Sequence, residues 1–138
     1  MVKTEYQIIA RNYELAGRAS SSIKRYLKQE HIDRHLTKRI CSASYEAEIN
    51  VVIHSVGGYV VFEHTNDKIE MNFYDDGPGI LDIELAMTEG YSTASESAHL
   101  NGFGAGMGLS NIKKCTDDMM IESSSEGTHL KLIFHLGE

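Results

Sequence analysis

The chain of 138 residues contains two cysteines and no long hydrophobic run. Cys41 and Cys115 cannot form the disulfide framework of a small secreted domain, and their spacing is not that of metal ligands. We expect both thiols to be reduced and buried. Because no apolar run approaches about 18 residues and the N-terminus has no apolar signal core, we predict neither a membrane span nor a secretory leader. A cytoplasmic protein is therefore expected.

Positive charge is also scarce, since 13 Lys and Arg face 20 Asp and Glu and the net charge is −7. Nonspecific binding to nucleic acid or to an anionic membrane requires a positive surface, so neither is expected as a partner. Repeats and low-complexity segments are absent as well. The length suits one domain with a real core, and we predict a single domain over residues 1–138.

The sequence does have glycine at alternate positions directly before a helix-like run. The glycines are Gly102, Gly104, Gly106 and Gly108, and the run is Asn111–Cys115. Glycine lets backbone N–H groups approach an anion, and a following helix N-terminus adds unpaired donors and a favourable dipole. The pattern is typical of a phosphate-binding loop. A flexible connector has the same composition and stays open as the alternative.

A long helical pattern, about residues 33–56, carries one apolar face and a second, polar face. The apolar positions are Leu36, Ile40, Ala43, Ala47 and Val51. Glu46, Asn50 and His54 stack one turn apart on the polar face. A nucleotide-bound magnesium ion needs an oxygen ligand, which Asn50 can supply, and a reacting hydroxyl needs a base, which Glu46 can supply. An ordinary solvated helix face is the alternative.

A predicted strand ends at an acidic residue followed by a glycine turn. The segment Ile69–Phe73 alternates apolar and polar residues, Asp75 closes the strand, and Gly77 and Gly79 follow in Asp-Gly-Pro-Gly. A carboxylate there can accept a hydrogen bond from the exocyclic amine of adenine, while the glycines let the base lie against the backbone. An ordinary turn after a strand explains the same residues.

Alternation at the C-terminus predicts a strand over Thr128–Leu136, and Thr128 at its start could hydrogen-bond near the base. Taken singly, this residue is a strand-opening threonine. The other predicted elements are an edge strand Thr4–Ile9, a helix Tyr13–Gln29, a hairpin of Tyr59–His64 with Lys68–Tyr74, a helix Ser110–Asp117 and a strand Met119–Ser124. Helices on one face of a mainly antiparallel mixed sheet predict an α/β (α+β) two-layer sandwich.

The order of these segments resembles the GHKL (histidine-kinase-like) ATP-binding superfamily. The matching features are Glu-x-x-x-Asn on a helix, Asp-x-Gly-x-Gly after a strand, a glycine-rich stretch before a helix, and Gly-Thr opening a strand. The segments Gly77–Ile80, Gly90–Thr93 and Gly104–Leu109 are similar to the small anti-sigma-factor kinases, particularly their stressosome switch branch. The resemblance covers nearly the whole chain and implies a Bergerat-type ATP-binding fold.

The resemblance implies a site for ATP or ADP and Mg²⁺ between the Glu46 helix and the sheet. In that site Asn50 would hold the metal, Glu46 would orient or deprotonate the incoming hydroxyl, and Asp75 would select adenine. The implied nucleotide-binding residues are Asn50, Asp75, Gly77, Gly79, Gly102, Gly104, Gly106, Gly108, Leu109 and Thr128. A lid is expected over about residues 82–109, beginning with a short helix at Asp82–Glu89.

The implied activity is transfer of the ATP γ-phosphate to a serine or threonine of a STAS-domain partner. The sequence departs in one respect from what this activity needs, because no Lys or Arg lies between Asp82 and Ile112 to neutralise charge on the transferred phosphoryl group. An alternative to the kinase function therefore stays open. Lys113 and Lys114 are the nearest cations, and a solvated helix face is their expected role. The alternative is a noncatalytic switch that uses nucleotide to set its binding to a sigma factor or antagonist. A third function, that of an autonomous ATPase, is disfavoured. The sequence leaves open whether the chain forms a homodimer.

Overall fold

The computed structural model describes residues 1–10, 12–54, 57–76, 108–124 and 126–137, which contain five strands and three helices. The strands are β1 (Val2–Ile8), β2 (Gly58–His64), β3 (Lys68–Asp75), β4 (Asp118–Ser124) and β5 (Gly127–His135). The helices are α1 (Arg18–Gln29), α2 (Arg34–His54) and α3 (Gly108–Cys115). The predicted lid helix Asp82–Glu89 lies outside the described residues.

The five strands form one sheet in the order β1-β2-β3-β5-β4. Every pair of neighbours in this sheet is antiparallel. The predicted hairpin of β2 and β3 is confirmed, and its turn is fixed by the Thr65 amide, which donates to the Lys68 carbonyl at 3.0 Å. Strand β1 occupies an edge of the sheet as predicted, so its outer backbone groups are not paired within the described sheet.

The core lies between the helices and one face of the sheet. Alternate residues of β3 and β5 point into it, and they are joined there by the apolar face of α2. The strand residues are Ile69, Met71, Phe73, Leu130, Leu132 and Phe134, and the helix residues are Leu36, Ile40, Ala43, Ala47 and Val51, all buried. The predicted apolar face of α2 and the predicted two-layer α+β sandwich are therefore confirmed.

The two longer helices begin in different ways. Helix α2 has a local cap, since the Asp33 carboxylate accepts from the Leu36 amide at 3.0 Å, and its predicted start is confirmed to within a residue. Helix α1 begins at Arg18 rather than at Tyr13, so the predicted N-terminal turns of this helix are wrong. Gly17, the residue before α1, has φ of 93°, and no neighbouring side chain caps the helix. The cap comes from elsewhere in the chain.

Helix α2 spans 21 residues, but no described helix combines the length and the apolar character needed to cross a bilayer.

Both cysteines are free thiols, yet each is half-buried rather than buried as predicted. Cys41 lines a depression of about 250 Å³ between α1 and α2, and Cys115 is the last residue of α3. Burial raises the pKa of the Cys41 thiol, against the opposing charges of Lys24 and Lys28.

Candidate functional site

One polar flank of α2 carries both candidate residues of the predicted helix motif. Arg39, Ser42, Glu46 and Asn50 recur at spacings of three and four residues, so they form one stripe along the helix. We call this stripe the α3-facing flank, because its first two members bond to α3. Glu46 and Asn50 are the next positions on the flank, and both are half-buried.

Helix α3 runs antiparallel to α2 along this flank. The Arg39 guanidinium donates through Nε to the carbonyl of Cys115, at the end of α3, over 2.9 Å. Further along α2, the Ser42 hydroxyl accepts from the Asn111 amide, near the middle of α3, over 3.3 Å. Each step toward the C-terminus of α2 is thus a step toward the N-terminus of α3. One more turn brings Glu46 level with the first turn of α3.

Asp75 and Thr128 lie side by side where β3 ends and β5 begins. Asp75 is the register partner of Thr128 on one side and of Gly58 on the other. The Thr128 hydroxyl also hydrogen-bonds the Ser123 hydroxyl of β4 over 2.8 Å. Helix α2 ends at His54, only a few residues before β2 begins, so its C-terminal part leads to this same end of the sheet, the Asp75 end.

The C-terminus of α3 is held at the opposite end of the sheet. There Arg39 pairs with the Asp117 carboxylate at 2.8 Å, and Asp117 also accepts from the His135 amide at 2.7 Å. His135 is the register partner of Lys68, the first residue of β3. The N-terminus of α3 therefore points toward the Asp75 end. Three predicted parts of the site, on α2, α3 and the sheet, share one end of the molecule.

The two side chains on α2 differ in their electrostatics. Partial burial raises the pKa of the Glu46 carboxyl, because lost hydration disfavours its charged form. A carboxylate with a raised pKa holds a proton more readily near neutral pH, which suits a proton acceptor. Asn50 offers a neutral amide oxygen one turn away. The flank thus places a carboxylate and a neutral amide oxygen one turn apart, and these are the group types that the sequence predicts as a base and as a ligand for a hard cation.

Two glycines let the neighbouring strands approach the end of β3 closely. A Cβ on Gly127 would overlap the Asp75 carbonyl oxygen, and a Cβ on Gly58 would overlap the Tyr74 carbonyl oxygen. Both obstacles are backbone atoms, which cannot swing aside. Any larger residue would move β5 or β2 away from the end of β3, so these glycines fix the backbone that carries the Asp75 side chain.

An aromatic stack lies beside the Asp75–Thr128 pair on the sheet face opposite the core. Tyr74 stacks on His129 with ring centroids 4.4 Å apart and on Tyr59 at 5.1 Å. The His129 imidazole is hydrogen-bonded through Nε2 to the Asn72 side-chain oxygen over 2.7 Å. Sequence patterns missed this stack because it depends on the register of three strands. Cross-strand aromatic pairs of this kind stabilise the pairing of β2, β3 and β5 next to the candidate site.

The remaining predicted site residues divide into two groups. Gly77, Gly79, Gly102, Gly104 and Gly106 lie outside the described residues, as does the predicted lid except for its last two positions. Those two, Gly108 and Leu109, form the first turn of α3. The Leu109 side chain is buried in the core, so a contact between this residue and a ligand would have to be made by its backbone.

One carboxylate with a dense set of hydrogen bonds was not singled out by the sequence. Glu48 is 2% exposed and lies on the flank of α2 that faces α1. Its Oε2 accepts from the amides of Gly17 at 2.9 Å and Ala19 at 3.2 Å. Its Oε1 accepts from the amide and hydroxyl of Ser20 at 2.9 and 2.8 Å. Glu48 is thus the cap of α1, and the available signal was a lone carboxylate between apolar neighbours.

Comparison with known proteins defines the family. A family model described as histidine kinase-like ATPase domain matches residues 9–134, nearly the whole chain. The chain belongs to the histidine kinase-like ATPase domain family. The superfamily predicted from the four motifs is confirmed.

Two similar proteins add detail. The serine/threonine-protein kinase RsbT of Bacillus subtilis (strain 168) is 27% identical over 137 residues, which are 96% of this chain and 91% of RsbT. A crystal structure of the RsbU and RsbW domains of a Mycobacterium tuberculosis protein matches 100% of the chain with a TM-score of 0.68 and 14% identity. The chain spans 33% of that larger protein, and the likeness shows the fold.

Proposed function

We propose that the chain is an ATP-dependent serine/threonine-protein kinase of the anti-sigma-factor type, acting on a hydroxyl of a STAS-domain partner. The observation that carries this proposal is the shared position of three parts. Glu46 and Asn50 lie on the flank that leads to the N-terminus of α3, at the end of the sheet where Asp75 and Thr128 pair. Family membership supports a nucleotide as ligand, and the name of RsbT supports transfer to a serine or threonine.

The nucleotide would lie along this end of the molecule. The Asp75 carboxylate would accept from the exocyclic amine of adenine, with the Thr128 hydroxyl beside it. The phosphates would reach the N-terminus of α3, where the N–H groups of Gly108 and Leu109 and the helix dipole favour negative charge. The glycine-rich stretch before Gly108 would complete this cradle, as the sequence predicts.

The described residues fit a magnesium ion that is held jointly by the protein and by the nucleotide. No group of three or more His, Cys, Asp or Glu in the described ranges could hold a metal ion. Mg²⁺ is commonly held by one or two protein oxygens together with nucleotide phosphates and water, which is the role open to Asn50. When bound, such an ion would neutralise part of the negative charge on the phosphates.

Glu46 would act on the partner's hydroxyl. Its carboxylate accepts the hydroxyl proton while the oxygen forms a bond to the γ-phosphorus. The bond from that phosphorus to the bridging oxygen breaks, and ADP leaves. The raised pKa of Glu46 makes it a better proton acceptor near neutral pH than an ordinary exposed glutamate.

A noncatalytic switch is the second candidate, and the absence of Lys and Arg between Asp82 and Ile112 favours it. Lys113 and Lys114 are exposed in the last turn of α3, where the helix dipole favours cations. That turn is at the end of α3 away from the candidate phosphate cradle. In this reading, nucleotide sets the surface shown to a sigma factor or antagonist. For either function we propose a cytoplasmic protein, with homodimerisation open.

Radiolabelled ATP separates the candidates. The protein is incubated with Mg²⁺, labelled ATP and a candidate STAS domain, beside Glu46→Gln and the control Glu122→Gln, which neutralises an exposed carboxylate on β4. Label on the partner that is lost only in Glu46→Gln supports the kinase. ATP that is bound and not consumed supports the switch. Steady phosphate release without a partner contradicts both and indicates an autonomous ATPase.

A further inference from the structure

The Glu48 carboxylate is held in a narrowly defined geometry. Each of its two oxygens accepts two hydrogen bonds, all from the first turn of α1 and the residue before it. A buried carboxyl group needs hydrogen-bond partners to offset the hydration that it has lost, and these four donors supply them. The α1 backbone therefore fixes the position of Glu48, and Glu48 fixes the α2 backbone beside it.

Glu48 lies along α2 between Glu46 and Asn50, on the opposite flank of the helix. The bonds from α2 to α3 through Arg39 and Ser42 belong to the N-terminal half of α2. Glu48 is about two and a half turns beyond Arg39. Glu48 therefore ties the C-terminal half of α2, which carries the two candidate functional residues, to the start of α1.

Helix α1 is a firm support for this tie. Ile23 and Leu27 are fully buried in the core. The Tyr26 hydroxyl is hydrogen-bonded to Nδ1 of His64 on β2 over 2.6 Å, and its ring packs edge-on against Phe62 with centroids 5.3 Å apart. A continuous path of contacts thus runs from β2 through α1 to Glu48.

We propose that Glu48 is a positioning residue that sets the place of Glu46 and Asn50 relative to the sheet. It acts through α2 and touches neither nucleotide nor partner. This inference rests on the proposed function of Glu46 and Asn50. A displacement of a catalytic group by about 1 Å can slow a reaction about 100-fold, so a loosened α2 should affect transfer more than nucleotide binding.

Two variants weaken the tie to different degrees. Glu48→Gln keeps the shape and one acceptor oxygen, but its amide group would face two of the four donors. Ser20→Ala removes the hydroxyl donor and leaves the three amides. The control Ile69→Val shortens a fully buried side chain at the end of β3 far from Asp75, and it tests for general loss of stability.

Hydrogen exchange and kinetics give separate readouts. In Glu48→Gln we expect faster amide exchange at residues 17–20 and also at 46–54, with the N-terminal half of α2 unchanged. ADP affinity should stay within about 3-fold, because Asp75 and Thr128 are on the sheet, while phosphoryl transfer should fall about 10-fold to 100-fold. Ser20→Ala should show smaller changes in the same pattern, and Ile69→Val neither change.

Faster exchange confined to residues 17–20 would overturn the proposal, since Glu48 would then only cap α1. An equal loss of transfer in Ile69→Val would overturn it too. If Glu48→Gln does not fold, the exchange of residues 46–54 in Ser20→Ala decides. If the wild-type protein transfers no phosphate to any STAS domain, the kinase proposal fails, whereas exchange at residues 46–54 still tests the tie itself.

Discussion

Replacing Gly127 with alanine should disturb the candidate site through the backbone. Gly127 has φ of 154°, and an added Cβ would overlap the carbonyl oxygen of Asp75. Overpacking costs about 1–3 kcal/mol, and a backbone torsion that L-residues rarely adopt costs about 1–3 kcal/mol. Because a shift of β5 relieves part of both, we expect a total loss of about 2–4 kcal/mol.

The expected change in melting temperature follows from the size of the chain. At about 2.1 cal/mol/K per residue, the unfolding entropy of 138 residues is about 290 cal/mol/K, so 1 kcal/mol corresponds to about 3.4 °C. Gly127→Ala should therefore lower Tm by about 7–14 °C in a calorimetric scan. It should also weaken ADP binding, because Asp75 moves with its carbonyl. The matched control is Gly137→Ala, where a Cβ meets nothing within 4 Å. A Tm for Gly127→Ala equal to that of the control would refute the reasoning.

Two further substitutions test the electrostatics. Burial raises the folded-state pKa of Glu46 above its unfolded value, so the folded protein binds the proton more tightly and stability falls as pH rises between the two values. Glu46→Gln should remove this fall in the free energy of unfolding, measured by urea denaturation from pH 4 to 8, and should also abolish phosphoryl transfer. A pH profile of stability equal to that of the wild-type protein would contradict the burial effect on Glu46. Arg39→Ala should cost about 1–2 kcal/mol through its lost hydrogen bonds. Desolvation opposes ionisation of Asp117, but the His135 amide and Arg39 outweigh it and lower the pKa of this carboxyl. The contribution of Asp117 to the free energy of unfolding is therefore lost as pH falls through its folded-state pKa. The Arg39→Ala deficit should shrink in acid, and a deficit that grows there would contradict this.

The sequence predicts the elements whose cause is local. Alternation in the segments around Met71 and Leu132 predicts β3 and β5, and helical spacing from Leu36 to Val51 predicts α2 and its buried face. The Asp33 cap is also readable from the chain, since it acts within one turn. In each case a residue's neighbours in sequence carry the information.

Features that depend on distant partners were missed. The start of helix α1 was predicted too early. The helix is capped by Glu48, which is 31 residues from Gly17 in sequence, so the local pattern around Gly17 does not contain this cap. The stack of Tyr74 on His129 needs the β3–β5 register, which a pattern within one strand does not contain. Sequence periodicity cannot distinguish a buried carboxylate with four donors from a solvated one.

For the candidate site, the sequence identifies residue types and the structure supplies their arrangement. Glu46 and Asn50 were singled out by spacing, and Asp75 and Thr128 by their places at strand ends. The pairing of Asp75 with Thr128 follows from the register of β3 and β5, and the direction of α3 follows from the bonds of Arg39 and Ser42. The roles assigned to these residues stay predictions.

Titration calorimetry with ADP and with ATP plus Mg²⁺ examines whether one nucleotide spans Asn50 and Asp75. We expect one saturable site in the wild-type protein. Asp75→Ala should weaken binding of both nucleotides, because it removes the oxygens that would accept from the adenine amine, whereas Asn50→Ala should remove mainly the magnesium-dependent part of ATP binding. Absence of ATP and ADP binding to the wild-type protein, or equal binding by all three proteins, would contradict a nucleotide site at the Asp75 end of the sheet.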